Sequence, residues 1–407
     1  MAHHSKMLMH IVEETNPVNN HLVTLSRDLL PQTPGISSVR AKTRVISLTT
    51  NNVTYTKSNL LGWWHAYPLP HSISLGSSGE RYIHAPGWGY AEVLESNLNL
   101  LPKGSWLFGY FPFSTFPFDL SLAPSDLEGH FKEVSEHRRA LVDFYNRYEI
   151  LPVDQLYAAN SEGNLSWSTL MRALFGTGFD LANFALSWIP EERVHPAGPD
   201  SSYQWDCNTD GNIKGAVVFV LAAVGKAALT FAHQLKDGRP ESQRPKAVVA
   251  VSSQPSWKVA QQCGFYDAVY GYDEAERART EVLAAQPATK VLVVDFRSRN
   301  ITERSWVDTL QTSVSQPITH LCIATLPPLG SNGVLALAPH ITLAAIDLVG
   351  EKTYYSKIAL AFRNFSEHQK VIGVELVCKH GLEEFKEDFD AIIAGKFDSS
   401  KGLVYWI

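Results

Sequence analysis

Cysteine is scarce in this chain. Only Cys207, Cys263, Cys322 and Cys378 occur in 407 residues, each far from the next. No Cys-x-x-Cys pair exists, which argues against a structural zinc cluster. His-Glu-x-x-His is missing, and so is Gly-x-Ser-x-Gly, so the signatures of zinc proteases and of the serine-hydrolase elbow are both absent; Gly76-Ser-Ser-Gly79 reads as a flexible loop. Neither charge sign dominates. The net charge is −6 with no long run of one sign, which leaves no footprint for nucleic acid or an acidic membrane surface. No apolar run reaches the roughly 18 residues of a membrane span. Met1-Ala-His-His-Ser-Lys6 lacks the apolar core of a signal peptide. A reduced, cytoplasmic protein is expected, although four distant cysteines leave a disulfide open. No internal repeat and no low-complexity tract is visible.

With 407 residues, 45% of them hydrophobic, the chain has length for two or three domains with sizeable cores. Thirteen aromatic residues lie between Trp63 and Phe118. That density suits a β-rich domain, whether the rings fill a core or line an apolar pocket. The first 35 residues read as irregular, with a short strand at Leu22–Leu25. Val45–Thr49 alternates as a half-buried strand. Pro86–Ser96 and Pro102–Tyr110 each read as a turn leading into a strand, the spacing of a barrel or sandwich. The pattern turns helical over Glu128–Tyr148 and Trp167–Trp188, where Gly176 and Gly178 are expected to interrupt the second helix. The polar stretch 190–202 is a boundary.

Strands and helices then alternate. Val217–Leu221 is a buried strand, Ala222-Ala-Val-Gly-Lys226 a turn of small residues, and the following segment a helix. Ala247–Val251 is a second buried strand ending in Ser252 and Ser253. Further apolar runs at 268–272, 290–295, 320–324 and 341–349 read as strands of a parallel sheet covered on both faces. Strand, turn, helix, strand opens a dinucleotide-binding fold, yet only Gly225 survives of the Gly-x-Gly-x-x-Gly fingerprint. The fold class is therefore α/β: a β-rich first domain at 1–189, a Rossmann-type doubly wound parallel sheet at 203–375, and a helix and strand at 376–407 that return to the first domain.

Within this order, three stretches carry a resemblance: His84–Val93 with Leu101–Gly109, Val217–Leu235, and Val248–Lys258 with Cys263–Tyr272. Together they resemble the medium-chain dehydrogenase/reductase superfamily on its zinc-free quinone-oxidoreductase and enoyl-reductase side, whose first domain is GroES-like. Asn51–Tyr55, Pro86–Gly89, Arg138–Tyr148 and Gly264–Asp267 resemble, more narrowly, an uncharacterised branch classed as a domain of unknown function. The resemblance covers roughly residues 40–400. It implies NADPH as cofactor, held by Ala222, Ala223, Gly225 and Lys226 at the diphosphate. Ser252, Ser253 and Lys258 would stand at the 2′-phosphate, where hydroxyls and a cation replace the acid that favours NADH. Ser253 also reads as an ordinary helix cap. Tyr272 would lie near the adenosine phosphate, and Asp295, Thr325 and Leu326 at the carboxyl edge of the sheet beside the nicotinamide.

Zinc-dependent relatives need cysteine, histidine and glutamate ligands in the first domain, and no cysteine precedes Cys207, so no metal is expected. His65, His71 and His84 read as incidental. The resemblance makes Tyr55 the first candidate for a hydrogen-bond or proton donor and Tyr67 the second; each also reads as a core tyrosine. Trp64, Trp88 and Phe113 are candidates for a flat substrate pocket. The expected activity is reduction of an enone, enoyl or carbonyl group of a hydrophobic small molecule, in the setting of secondary metabolism. Two rivals remain: a redox-inactive isomerase, cyclase or C–C rearranging enzyme on the same fold, and a non-catalytic ligand-binding protein. A homodimer is common in the superfamily.

Overall fold

The computed structural model describes residues 7–70, 73, 81–157, 161–285, 288, 290–296, 300–315, 317–323, 333–368 and 372–407. They form two compact units, residues 1–171 with 376–407, and residues 172–375.

In the first unit, an eight-stranded sheet runs in the order Glu375–His380, Lys401–Trp406, Ser38–Leu48, Pro86–Ser96, Trp106–Pro112, Arg147–Ile150, His130–Glu133, Phe118–Pro124. The last strand pairs back onto Ser38–Leu48, Ser38 facing Ser121 and Ala41 facing Phe118, which closes a barrel. The barrel holds many of the aromatic rings noted in the sequence: Trp63, Tyr67, Tyr110, Phe111, Tyr145 and Tyr148 share one core cluster. A second cluster forms where Leu382, Phe385 and Phe389, on the helix Gly381–Ile393, pack on Phe113.

Several expectations need correction. The opening residues are ordered as strands Met7–Glu13 and Asn16–Leu25, which pair antiparallel. The first is almost wholly buried, and the second shows no clean alternation because its turn and edge positions are polar. Asn51–Tyr55 is helical within Thr50–Lys57, whose entry is fixed by a reciprocal cap between Thr49 and Asn52. The segment 136–150 is not a long helix but two short 3₁₀ turns, Glu136–Arg138 and Asp143–Asn146, and the strand Arg147–Ile150. Tertiary contact overrides the helical pattern. Val142 N–H bonds to the Leu61 carbonyl, and the Ala140 carbonyl lies only 2.1 Å from where a Cβ on Gly62 would stand.

The second unit is a six-stranded, fully parallel sheet. Its order is Ala268–Tyr270, Ala247–Val251, Val217–Leu221, Val291–Asp295, Thr319–Ile323, Val334–Ala336. The three strands at its centre are buried at every position, as expected when both faces of a parallel sheet are covered. The run 341–349 is helical, within Ala338–Val349, and the sixth strand is the shorter Val334–Ala336. Length and Pro339 in the first turn decide it: twelve residues with Ile341 and Ala345 buried on one stripe form a helix, not a strand. Gly176 and Gly178 do not break their helix, which runs unbroken over Ser161–Asp180 before a π-turn at Leu181–Ala185. Gly178 instead permits close packing. A Cβ there would sit 2.3 Å from Thr230 Oγ1 and 2.4 Å from the Phe231 nitrogen.

Candidate functional site

The turn after Val217–Leu221 is built without the usual glycines. Ala222 takes the left-handed conformation itself, at φ +56°, where a side chain is normally disfavoured. That rotation brings Ala223 N–H onto the Val251 carbonyl at 3.3 Å and lets the Ala222 carbonyl accept from Gly225 N–H at 2.9 Å. Gly225 is the N-cap of the helix Lys226–Lys236. No side chain caps this helix and no acidic residue stands in its first turn, so its positive end is not compensated from within. Tyr266 supports the turn from the far side: its hydroxyl donates to the Ala223 carbonyl at 2.6 Å, with the Ala228 carbonyl at 3.3 Å. Burial holds that phenol well above its ordinary pKa, hence protonated as a donor. Ala222→Gly should therefore raise stability by about 1 kcal/mol, by removing the left-handed strain. A denaturant midpoint that falls instead would show that the methyl group is needed.

At the end of the second strand, Ser252 is buried at 1% exposure, and its hydroxyl approaches the Ser253 carbonyl at 3.4 Å. Its own carbonyl accepts from Trp257 Nε1 at 3.2 Å. Ser253 and Lys258 are exposed. Ser253 begins the 3₁₀ turn Gln254–Ser256 with its hydroxyl 3.3 Å from that of Ser256. Lys226 is buried at 7% exposure, Tyr272 partly buried with its carbonyl bonded by Trp306 Nε1 at 2.9 Å, and Asp295 is buried at the end of its strand. Thr325 and Leu326 lie outside the described residues, as do His71 and Gly76–Gly79.

In the first unit, Tyr55 packs against Trp63 at 4.8 Å and Tyr110 at 5.7 Å between ring centroids. Burial pushes its hydroxyl up to about 12, against the opposing effect of Trp88 and Tyr145 beside it. Tyr67 is already engaged: its hydroxyl donates to the Tyr110 carbonyl at 2.7 Å. The three pocket candidates all make packing contacts, with Trp64 and Trp88 only partly buried. Phe113 is wholly buried 4.5 Å from Phe385, Trp88 stacks on Phe108 at 5.8 Å, and Trp64 Nε1 donates to the Tyr55 carbonyl at 3.0 Å. Sequence reasoning missed Tyr266 and Trp257, whose parts depend on contacts that no local motif announces. Among the described residues no cluster of three histidine, cysteine or acidic side chains could hold a metal, and no helix is long and apolar enough to cross a membrane.

A family described as "Protein of unknown function (DUF2855)" is matched over residues 46–398. The chain belongs to this family. None of the curated proteins matches it. Among solved structures it is similar to mycobacterial Rv1454c complexed with NADPH, at 16% identity and a TM-score of 0.56 over 98% of this chain and 100% of that one. It is similar to the CurF ER cyclopropanase from the curacin A biosynthetic pathway, at 12% identity and 0.54 over 98% and 99%. CurA from Vibrio vulnificus in complex with NADPH gives 14% and 0.51 over 97% and 98%. These likenesses fix the fold: this DUF2855 chain has the medium-chain dehydrogenase/reductase architecture, a GroES-like barrel and a Rossmann-type sheet.

Proposed function

We propose that the chain is an NADPH-dependent, zinc-free reductase that delivers hydride to an enone, enoyl or carbonyl group of a hydrophobic small molecule. The observation carrying this reading is the turn at 222–226. Ala222 takes a left-handed conformation there without a glycine, and the turn leads into a helix N-terminus with no side-chain cap, a setting that favours an anion. The residues therefore fit a diphosphate. Ala222, Ala223, Gly225 and Lys226 would hold it, with Ser253 and Lys258 at the 2′-phosphate, Tyr272 beside the adenosine, and Asp295, Thr325 and Leu326 bordering the nicotinamide. Ser252, being buried, would act through the backbone. When bound, the cofactor supplies the hydride. Tyr55 is the candidate donor to the substrate oxygen, because its phenol is protonated at neutral pH and a hydroxyl donor stabilises developing negative charge.

Fluorescence titration with NADPH tests the reading. Saturable binding below about 1 mM is expected, and its absence would sink the proposal, since even a site worth about −4 kcal/mol fills there. Ser253→Asp and Lys258→Glu change exposed positions and should weaken NADPH about tenfold or more while leaving NADH binding no weaker. Binding without oxidation of NADPH by a panel of enones and ketones would favour non-redox chemistry on the same scaffold; one structural neighbour is a cyclopropanase.

A further inference from the structure

The helices Ala338–Val349 and Glu351–Glu367 meet at Gly350, a corner with φ +84° and ψ 146° that glycine adopts freely. Each arm sends one hydroxyl to the same carboxyl, that of Asp180. Tyr354 donates to Oδ1 at 2.8 Å, and Oγ1 of Thr342 stands within hydrogen-bond distance of Oδ2. Asp180 ends the helix Ser161–Asp180, where the π-turn Leu181–Ala185 begins. Asp180 and Thr342 are 1% exposed and Tyr354 2%.

The hydrogens available favour a neutral acid. Thr342 has a single hydroxyl hydrogen, and its Oγ1 also lies 3.0 Å from the Ala338 carbonyl, one turn back in its own helix. A protonated Asp180 donates to Thr342 and leaves that hydrogen for Ala338. A carboxylate draws the hydrogen away from Ala338 and stays a buried charge, since among the described residues no basic side chain pairs with it. Lys357 on the second arm pairs with Glu192 at 2.6 Å, and Nδ1 of His340 on the first lies 3.1 Å from the Ala197 carbonyl. Asp347, Lys352 and Arg363 are exposed. The π-turn, Leu-Ala-Asn-Phe-Ala, carries nothing that titrates. Tyr355 packs on Tyr354 at 5.2 Å between ring centroids, and His233 faces the far end of the second arm, at Phe365 and His368.

We propose that Asp180 is a proton-operated latch on this corner: as a neutral acid it ties both arms to the π-turn, and on losing its proton it lets the corner open at Gly350. A carboxylate is costly in a site without a counter-ion, and opening returns it to water. The π-turn also supports the helix Lys226–Lys236, because Asn183 Nδ2 donates to Gln234 Oε1 at 3.1 Å. The corner and that helix therefore share one anchor. The latch needs no nucleotide, so it stands or falls apart from the proposed reductase activity.

Hydrogen exchange of the full chain tests the latch, read at the amides of residues 342–354 with the intrinsic pH dependence of exchange divided out. Their opening constant should rise about tenfold per pH unit from pH 5 to 6.5, one proton leaving per opening. It should level off above about pH 7, the value to which burial raises Asp180. The strand Val217–Leu221 should not follow. Asp180→Asn keeps a donor for Thr342 and an acceptor for Tyr354 without a charge, so it should stay closed and flatten the profile. A flat profile in the unaltered chain overturns the latch, and so does a rise that Asp180→Asn retains. The unaltered chain needs no variant, so its profile decides the matter even if Asp180→Asn fails to fold.

Discussion

Replacing Arg138 with alanine should destabilise the first unit by about 3–5 kcal/mol, the range for removing one partner of a buried ion pair. The side chains of Arg138 and Glu133 are each 1% exposed and stand 3.4 Å apart. Without the guanidinium, Glu133 keeps its bonds from the Ser121 and Ser135 amides, at 3.1 Å each, and from the Ser135 hydroxyl, but its charge has no counterpart. The same change strips the Tyr148 hydroxyl of its donor and the Tyr67 ring of the cation 4.4 Å above it. Urea unfolding measures the loss; a cost under about 1 kcal/mol would mean that the pair is not desolvated as described. Arg138→Met combined with Glu133→Leu should recover only part of the loss, because it removes the unpaired charge but takes the acceptor from the Ser121 and Ser135 amides.

Acid should unfold the first unit before the second. Burial lowers His10 to about 4 and His84 to about 3 from 6.5. A histidine depressed in the folded state binds its proton more readily once unfolded, so stability falls as pH drops from about 6.5 through these values. Over that whole range His10 contributes a loss of about 3 kcal/mol and His84 about 5 kcal/mol. The groups around them do not compensate. Asn20 and Asp390 raise His10, Lys386 and His21 lower it, and His10 lowers His84. In the second unit two terms oppose. His233, lowered by burial to about 4, loses stability over the same window. Asp180, raised by burial to about 7 from 3.8 despite bonds from Thr342 and Tyr354, does the reverse: its contribution is complete below about 3.8 and is lost as pH rises through 7. Between pH 7 and 4 the second unit should hold nearly level while the first loses several kcal/mol. Hydrogen exchange at pH 4.5, compared between the core amides of Val45–Leu48 and Val217–Leu221, checks this. Equal protection would contradict it.

Much of this was legible in the sequence where burial is uniform. Val217–Leu221, Ala247–Val251 and Val291–Asp295 are apolar at nearly every position because both faces of the sheet are covered, and such strands announce themselves. The helix Ala338–Val349 did not, because an apolar run carries no period to separate helix from strand. The 3₁₀ turns after Glu133 were hidden for a different reason: contact with Leu61 and Gly62, far away in sequence, sets their path. The turn at 222–226 could be read as a turn, but not that Ala222 bears its strain, nor that Ser252 and Lys226 are buried. Tyr266 and Trp257, which bond to the Ala223 and Ser252 carbonyls, approach from separate elements that no local motif announces.

The barrel is sewn shut by late thread. The strand Lys401–Trp406 pairs with Ser38–Leu48, and Phe385 packs on Phe113, yet residues 172–375 intervene as a unit of their own. On the ribosome the second unit is complete while the first still lacks a wall strand and a core helix. The first-made part of the chain is thus expected to mature last, with the ring cluster around Phe113 exposed to chaperones and proteases in the interval.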